Sequence, residues 1–164
     1  ELDEVAYKNY KQVFITNYHV IEDCMGKEKY LTVARAYKKK ISAEVITIDK
    51  ENDLAVLISD LHVPSLEIAT APPYVGYWVM TSGSADALEG SVSFGSILNS
   101  SDKELFFTAN VSHGNSGGPL VDNEGNVIGT VSWFNKVEQY NGAKSLDAMC
   151  SKILKCEGKY FWEW

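Results

Sequence analysis

The 164-residue chain reads as an all-β protein made of two small antiparallel barrels packed together. Three observations carry that expectation. Short runs rich in Val, Ile, Thr and aromatic residues recur between turn residues, a pattern of strands rather than helices. Thr70-Ala71-Pro72-Pro73 breaks the series near its middle, because two successive prolines cannot donate ladder hydrogen bonds. The chemistry-bearing residues also divide: His19 and Asp53 precede that break, and Ser116 follows it. A site assembled from all three would lie in the groove between the halves.

Taken in order, residues 5–7 and 12–16 suggest a hairpin around Lys8-Asn9-Tyr10, followed by strands over 30–36, 42–48 and 54–58. These make residues 1–70 the first barrel, with 71–76 as linker. The second barrel, 77–164, takes strands over 77–81, 91–98, 104–109, 119–121 and 127–132. Asn123-Glu124-Gly125-Asn126 supplies a hairpin turn before the last of them. Leu146, Met149, Ile153 and Leu154 recur at helical spacing, so a short helix over 146–154 closes the chain.

Composition narrows the function classes. A hydrophobic share of 45% and a charged share of 23% suit an ordinary globular core. The net charge of −7 and a pI near 4.9 argue against nucleic acid or an anionic membrane as partner. Lys38-Lys39-Lys40 is read as a solvated turn. No apolar run reaches the roughly 18 residues of a membrane-spanning helix, and Glu1-Leu2-Asp3-Glu4 lacks the pattern of a signal peptide. Cys24, Cys150 and Cys156 show no CxxC spacing and are read as three free thiols, with neither metal nor organic cofactor expected.

The most informative stretch is Gly114-Asn115-Ser116-Gly117-Gly118-Pro119-Leu120. Glycines flanking a serine let the backbone turn sharply, so the hydroxyl stands clear and nearby N–H groups converge on one point. A serine hydroxyl is a weak nucleophile near neutral pH and needs a base within hydrogen-bond reach. Histidine suits that task, and a carboxylate on its far nitrogen fixes the tautomer. His19, in Thr16-Asn17-Tyr18-His19-Val20, and Asp53, opening Asp53-Leu54-Ala55-Val56-Leu57, supply the two partners.

In these three motifs and their order, the chain resembles the chymotrypsin-fold serine proteases. It is most similar to the HtrA (Deg) branch and to related small viral proteases. The likeness runs from about residue 5 to 154. It implies a serine endopeptidase acting on protein or peptide substrates, with His19, Asp53 and Ser116 catalytic and the N–H groups of Gly114 and Ser116 forming an oxyanion hole. It further implies that Ser132 backs the aspartate. The Ser132-Trp133-Phe134 strand would bind substrate backbone and wall the pocket for the side chain before the scissile bond. Asn110 stands where an aspartate would select Lys or Arg, so a medium apolar or polar side chain is expected instead.

Other departures from the family pattern carry expectations too. Asn115 replaces the aspartate that takes a salt bridge from a freshly cut N-terminus, and Glu1-Leu2 is no apolar activation end, so zymogen activation of that kind is not expected. Phe134 narrows the pocket. His113 is read as an exposed loop residue and His62 as structural. The aromatic Lys159-Tyr160-Phe161-Trp162-Glu163-Trp164 is read as packing on a barrel, with a junction to a neighbouring domain as its alternative. The branch usually continues into a PDZ domain, and none follows in this sequence. That suggests a minimal protease or one cut from a larger polypeptide, acting either in trans on misfolded or foreign proteins or on the larger chain from which it comes. A catalytically silent module that binds peptides in the interbarrel groove is the alternative from another class.

Overall fold

The computed structural model describes residues 11–27, 30–154 and 156. The expected strand over 5–7, its turn Lys8-Asn9-Tyr10 and the aromatic stretch 159–164 lie outside the described residues.

The first half forms a four-stranded antiparallel sheet in the order β1-β4-β3-β2. Its strands are β1 (Gln12–Thr16), β2 (Thr32–Val33), β3 (Ile41–Asp49) and β4 (Leu54–Ser59). β4 sits between β1 and β3, and its unbroken apolar run is buried on both faces. Ala55 and Leu57 pack with Ile21, Leu31 and Ala43 into one core. Between β1 and the loops, α1 (Tyr18–Ile21) makes a single turn that Ile21 ties to that core. Among the described residues the first half is a half-barrel. β2 is much shorter than the expected 30–36. A turn closed by Lys38 N–H on the Arg35 carbonyl, with Tyr37 in the left-handed region (φ 58°), takes the chain out of the ladder.

The second half closes into a six-stranded barrel in the order β10-β7-β6-β5-β8-β9. It comprises β5 (Trp78–Gly83), β6 (Ser91–Ser100), β7 (Glu104–Phe107), β8 (Pro119–Val121), β9 (Val127–Asn135) and β10 (Tyr140–Ser145). Val79, Ile97, Leu105, Phe107, Leu120, Ile128 and Val131 fill it. β10 (Tyr-Asn-Gly-Ala-Lys-Ser) was not anticipated, because its composition carries little strand preference. Closure makes it a strand: β7 and β9 flank it on either side, which leaves the sheet without a free edge there. Ahead of this barrel, Ala69 N–H bonds the Val127 carbonyl and Val127 N–H bonds that of Glu67, fastening the incoming chain to β9.

The last helix, α2 (Leu146–Lys152), begins at Ser145, whose hydroxyl accepts from Ala148 N–H as an N-cap. Met149 and Ala148 are its buried residues. One reading is corrected here. Cys150 and Cys156 form a disulfide, and only Cys24 is free. The expectation of free thiols assumed one continuous helix through both. The helix instead ends at Lys152, and the chain then turns back to bring the two Cα atoms to 5.6 Å.

Candidate active site

Asp53 opens β4 at the tight β3–β4 turn and adopts φ 53°, a left-handed conformation uncommon for a residue with a side chain. The segment after β1 wraps around it. Asn17, fully buried, donates from its side-chain amide to the Asp53 carbonyl at 2.9 Å, and Tyr18 N–H reaches the same oxygen at 3.2 Å. His19 N–H donates to one carboxylate oxygen of Asp53 at 2.9 Å, and His19 Nδ1 lies 2.7 Å from the other. A carboxylate facing Nδ1 fixes the proton there in the neutral ring and leaves the Nε2 lone pair free. The side chains remain partly open to solvent, 43% for His19 and 25% for Asp53. Sequence reasoning found the histidine and the aspartate but overlooked Asn17, whose position inside the first motif was the available signal.

Ser132 enters from the other barrel. Along β9 and β10, Val131 pairs with Ala143 and Trp133 pairs with Gly142, so Ser132 is one surplus residue in the ladder. Such a bulge re-aims the groups of the extra residue. The Ser132 hydroxyl donates to Asp53 Oδ2 at 2.9 Å, and its carbonyl accepts from the Ser116 hydroxyl at 3.2 Å. His19, Asp53, Ser132 and Ser116 are thereby linked across the barrel boundary. Among the described residues the Ser116 hydroxyl bonds Ser132 rather than His19.

The loop that carries Ser116 is fixed by its backbone. Gly117 N–H donates to the Val131 carbonyl and Val131 N–H to that of Gly118, which docks the loop on β9. Gly117 has φ 83°, and a Cβ there would lie 2.2 Å from Thr16 Oγ1. Only glycine fits this crossing point between the two halves. Asn115 is buried and bonds within its own loop, its side-chain oxygen accepting from Ser112 N–H. Ser84 N–H holds the Gly114 carbonyl and Asp86 N–H holds that of His113. Because N–H and C=O are anti across a trans peptide, the second bond turns the Gly114 N–H away from the 84–87 segment. Among the described residues, neither Gly114 N–H nor Ser116 N–H donates to a protein acceptor.

The residues expected to meet substrate separate into distinct groups. Phe134 is half-buried, with the exposed His113 ring edge-on at 5.1 Å and the Lys136 ammonium 5.5 Å from its centroid. Trp133 takes the other side of the strand, packing edge-to-face with Phe106 and Tyr140 and donating its indole N–H to Glu104. Asn110 is exposed. Nearby, the buried Asn141 donates to the Ala109 carbonyl. Neither this Asn141 bond nor the contact of His113 with Phe134 was anticipated. His62, read as structural, offers its carbonyl to the Arg35 guanidinium. Among the described residues no group of three or more His, Cys, Asp or Glu could hold a metal ion.

Comparison with known proteins agrees with this architecture. Residues 5–129 match the trypsin-like peptidase domain family. A "probable periplasmic serine endoprotease DegP-like" of Chlamydia pneumoniae is 36% identical over 126 residues, covering 70% of this chain and 25% of that protein. A protein of the same description from Halomonas elongata is 34% identical over 126 residues, with 70% and 26% covered. The chain thus spans about a quarter of the length of these relatives. The crystal structure of a serine endoprotease from Yersinia pestis superposes with a TM-score of 0.73 at 27% identity, over 82% of this chain and 49% of that one. With its half-barrel, closed barrel and short terminal helix, the chain belongs to the trypsin-like peptidase family, on its HtrA/DegP-like, chymotrypsin-fold branch.

Proposed function

We propose that this chain is a serine endopeptidase domain that cleaves through an acyl-enzyme. Ser116 Oγ attacks the peptide carbonyl carbon while His19 Nε2 takes its proton. The oxyanion so formed accepts from Gly114 and Ser116 N–H. His19 then protonates the departing amine, and water repeats the sequence in reverse to release the acid. Asp53 orients His19 and stabilises the imidazolium, with Ser132 behind it. The observation that carries the reading is the Asp53 carboxylate. It holds the ring nitrogen and the N–H of His19 and the Ser132 hydroxyl at once, beside a serine loop with two undonated N–H groups.

A second reading, a silent module that binds peptides in the same groove, draws on the Ser116 hydroxyl bonding Ser132 instead of His19. Treating the folded protein with a fluorophosphonate probe decides between them. Stoichiometric labelling of Ser116, abolished in His19→Ala, is expected of the peptidase. Intact, unlabelled Ser116 would leave the binding module. The finer role, processing of a larger polypeptide, is read from the same chemistry in a parent protein carrying Ser116→Ala. There, unchanged processing would remove that role.

A further inference from the structure

The left-handed Asp53 is held by a polar network that the peptidase chemistry does not itself require. Asp49 and Asn52, each 2% exposed, lie in the same turn. Asp49 Oδ1 accepts from Glu51 N–H at 3.1 Å and Asn52 N–H at 3.3 Å, and its Oδ2 accepts from the Asn52 amide at 2.6 Å. Those bonds define the backbone immediately before Asp53.

The network continues into the other half of the molecule. Asn52 Nδ2 also donates to Ser151 Oγ at 3.2 Å, and Ser151 in turn donates to the Ala148 carbonyl inside α2. Lys152 Nζ reaches Asp49 Oδ1 at 3.4 Å and Glu51 Oε2 at 3.0 Å. From the β6–β7 turn, Lys103 Nζ bonds the other Glu51 oxygen at 2.9 Å. Two exposed ion pairs alone would add little. The buried Asp49–Asn52 pair is different, because removing one partner leaves a desolvated polar group unpaired.

We propose that Asn52, gripped by Asp49 and by Ser151 of the C-terminal helix, is a positioning residue that sets the angle of the Asp53 carboxylate toward His19. This rests on the peptidase reading of the His19–Asp53 pair. The helix that ends the second barrel therefore governs proton transfer at a turn of the first. Its effect falls on kcat, since none of these residues lies on the substrate strand Ser132-Trp133-Phe134.

The test uses the full chain and two readouts. Proton NMR follows the resonance of the Nδ1 proton shared by His19 and Asp53, and fluorophosphonate labelling follows Ser116. In Asn52→Ala that resonance is expected to move upfield or vanish, and labelling to slow on the order of tenfold with KM for peptides unchanged. Ser151→Ala, which leaves Asp49–Asn52 intact and keeps the fold, should give the same changes in weaker form. Lys152→Met should weaken labelling and Lys152→Arg restore it. A wild-type resonance in both Asn52→Ala and Ser151→Ala would overturn the inference. Failure of the unsubstituted protein to label at all would instead overturn the peptidase reading, while the NMR readout still judges the clamp.

Discussion

At residue scale, Ser132 shows how one side chain and its backbone can serve two partners. Its hydroxyl gives the Asp53 carboxylate a charge-assisted hydrogen bond, a kind that contributes about 1.5–3 kcal/mol. Ser132→Ala keeps the carbonyl that holds Ser116 and removes only that donor. The expected outcome is a loss of roughly tenfold in kcat/KM, together with a loss of stability of about 1.5–3 kcal/mol. Steady-state hydrolysis of a peptide series checks it, and an unchanged rate would detach Ser132 from the aspartate's work. Gly117 makes a different kind of prediction. A methyl group there meets Thr16 Oγ1 and must also tolerate φ 83°. Gly117→Ala should cost more than about 2 kcal/mol in denaturant unfolding, even though no chemistry passes through residue 117.

At element scale, the strands that depend on their own sequence were the legible ones. β1 and β8 fall where turn residues and apolar alternation put them, and β4 is announced by its unbroken apolar run. β10 could not be read that way, since Asn141, Gly142 and Lys144 become strand only through the ladders on either side. α2 was legible from its spacing, but the disulfide beyond it was not. Two cysteines six apart pair only if the helix stops between them. In a chain-entropy estimate, a loop this short stabilises the fold by about 2 kcal/mol. Reduction, or Cys150→Ser with Cys156→Ser, is therefore expected to lower the unfolding free energy by about 2 kcal/mol and the unfolding midpoint with it. Calorimetry with and without reductant measures it, and equal midpoints would show that the bond adds nothing to stability.

At the scale of the whole molecule, charge helps to join the halves. Glu51 of the first half bonds Lys103 and Lys152 of the second, and these hydrogen bonds hold its carboxyl down at about 2, below its ordinary 4.5. A carboxyl depressed in the folded state stabilises that state above its unfolded value and loses the contribution as pH falls through the folded one. This junction should accordingly weaken on acidification between about 4.5 and 2. Glu51→Gln should flatten the stability–pH curve across that window alone, which unfolding midpoints at stepped pH would reveal. The site itself was partly legible at this scale. Three short motifs named His19, Asp53 and Ser116, because each residue type suits one chemical task. What the motifs left out was the scaffolding: Asn17 stood inside the first motif with no chemical task to mark it, and the contact of Asn52 with Ser151 is tertiary, which no local pattern encodes.

The surplus residue in β9 has a further consequence, for the kinds of sequence change the fold can absorb. Side chains alternate along a strand, so losing one residue there would exchange the two faces from that point onward. Trp133 would swing toward Asp53, the serine hydroxyl would leave, and the indole's partners Phe106 and Tyr140 would face a gap. Four residues later, the turn over 136–139 joins β9 to β10 with exposed side chains throughout and has room for a change in length. Within one hairpin, then, the count of residues is fixed on one side of Phe134 and free on the other. Family members that differ in length here should differ in the turn and keep the number of residues between Val131 and Phe134.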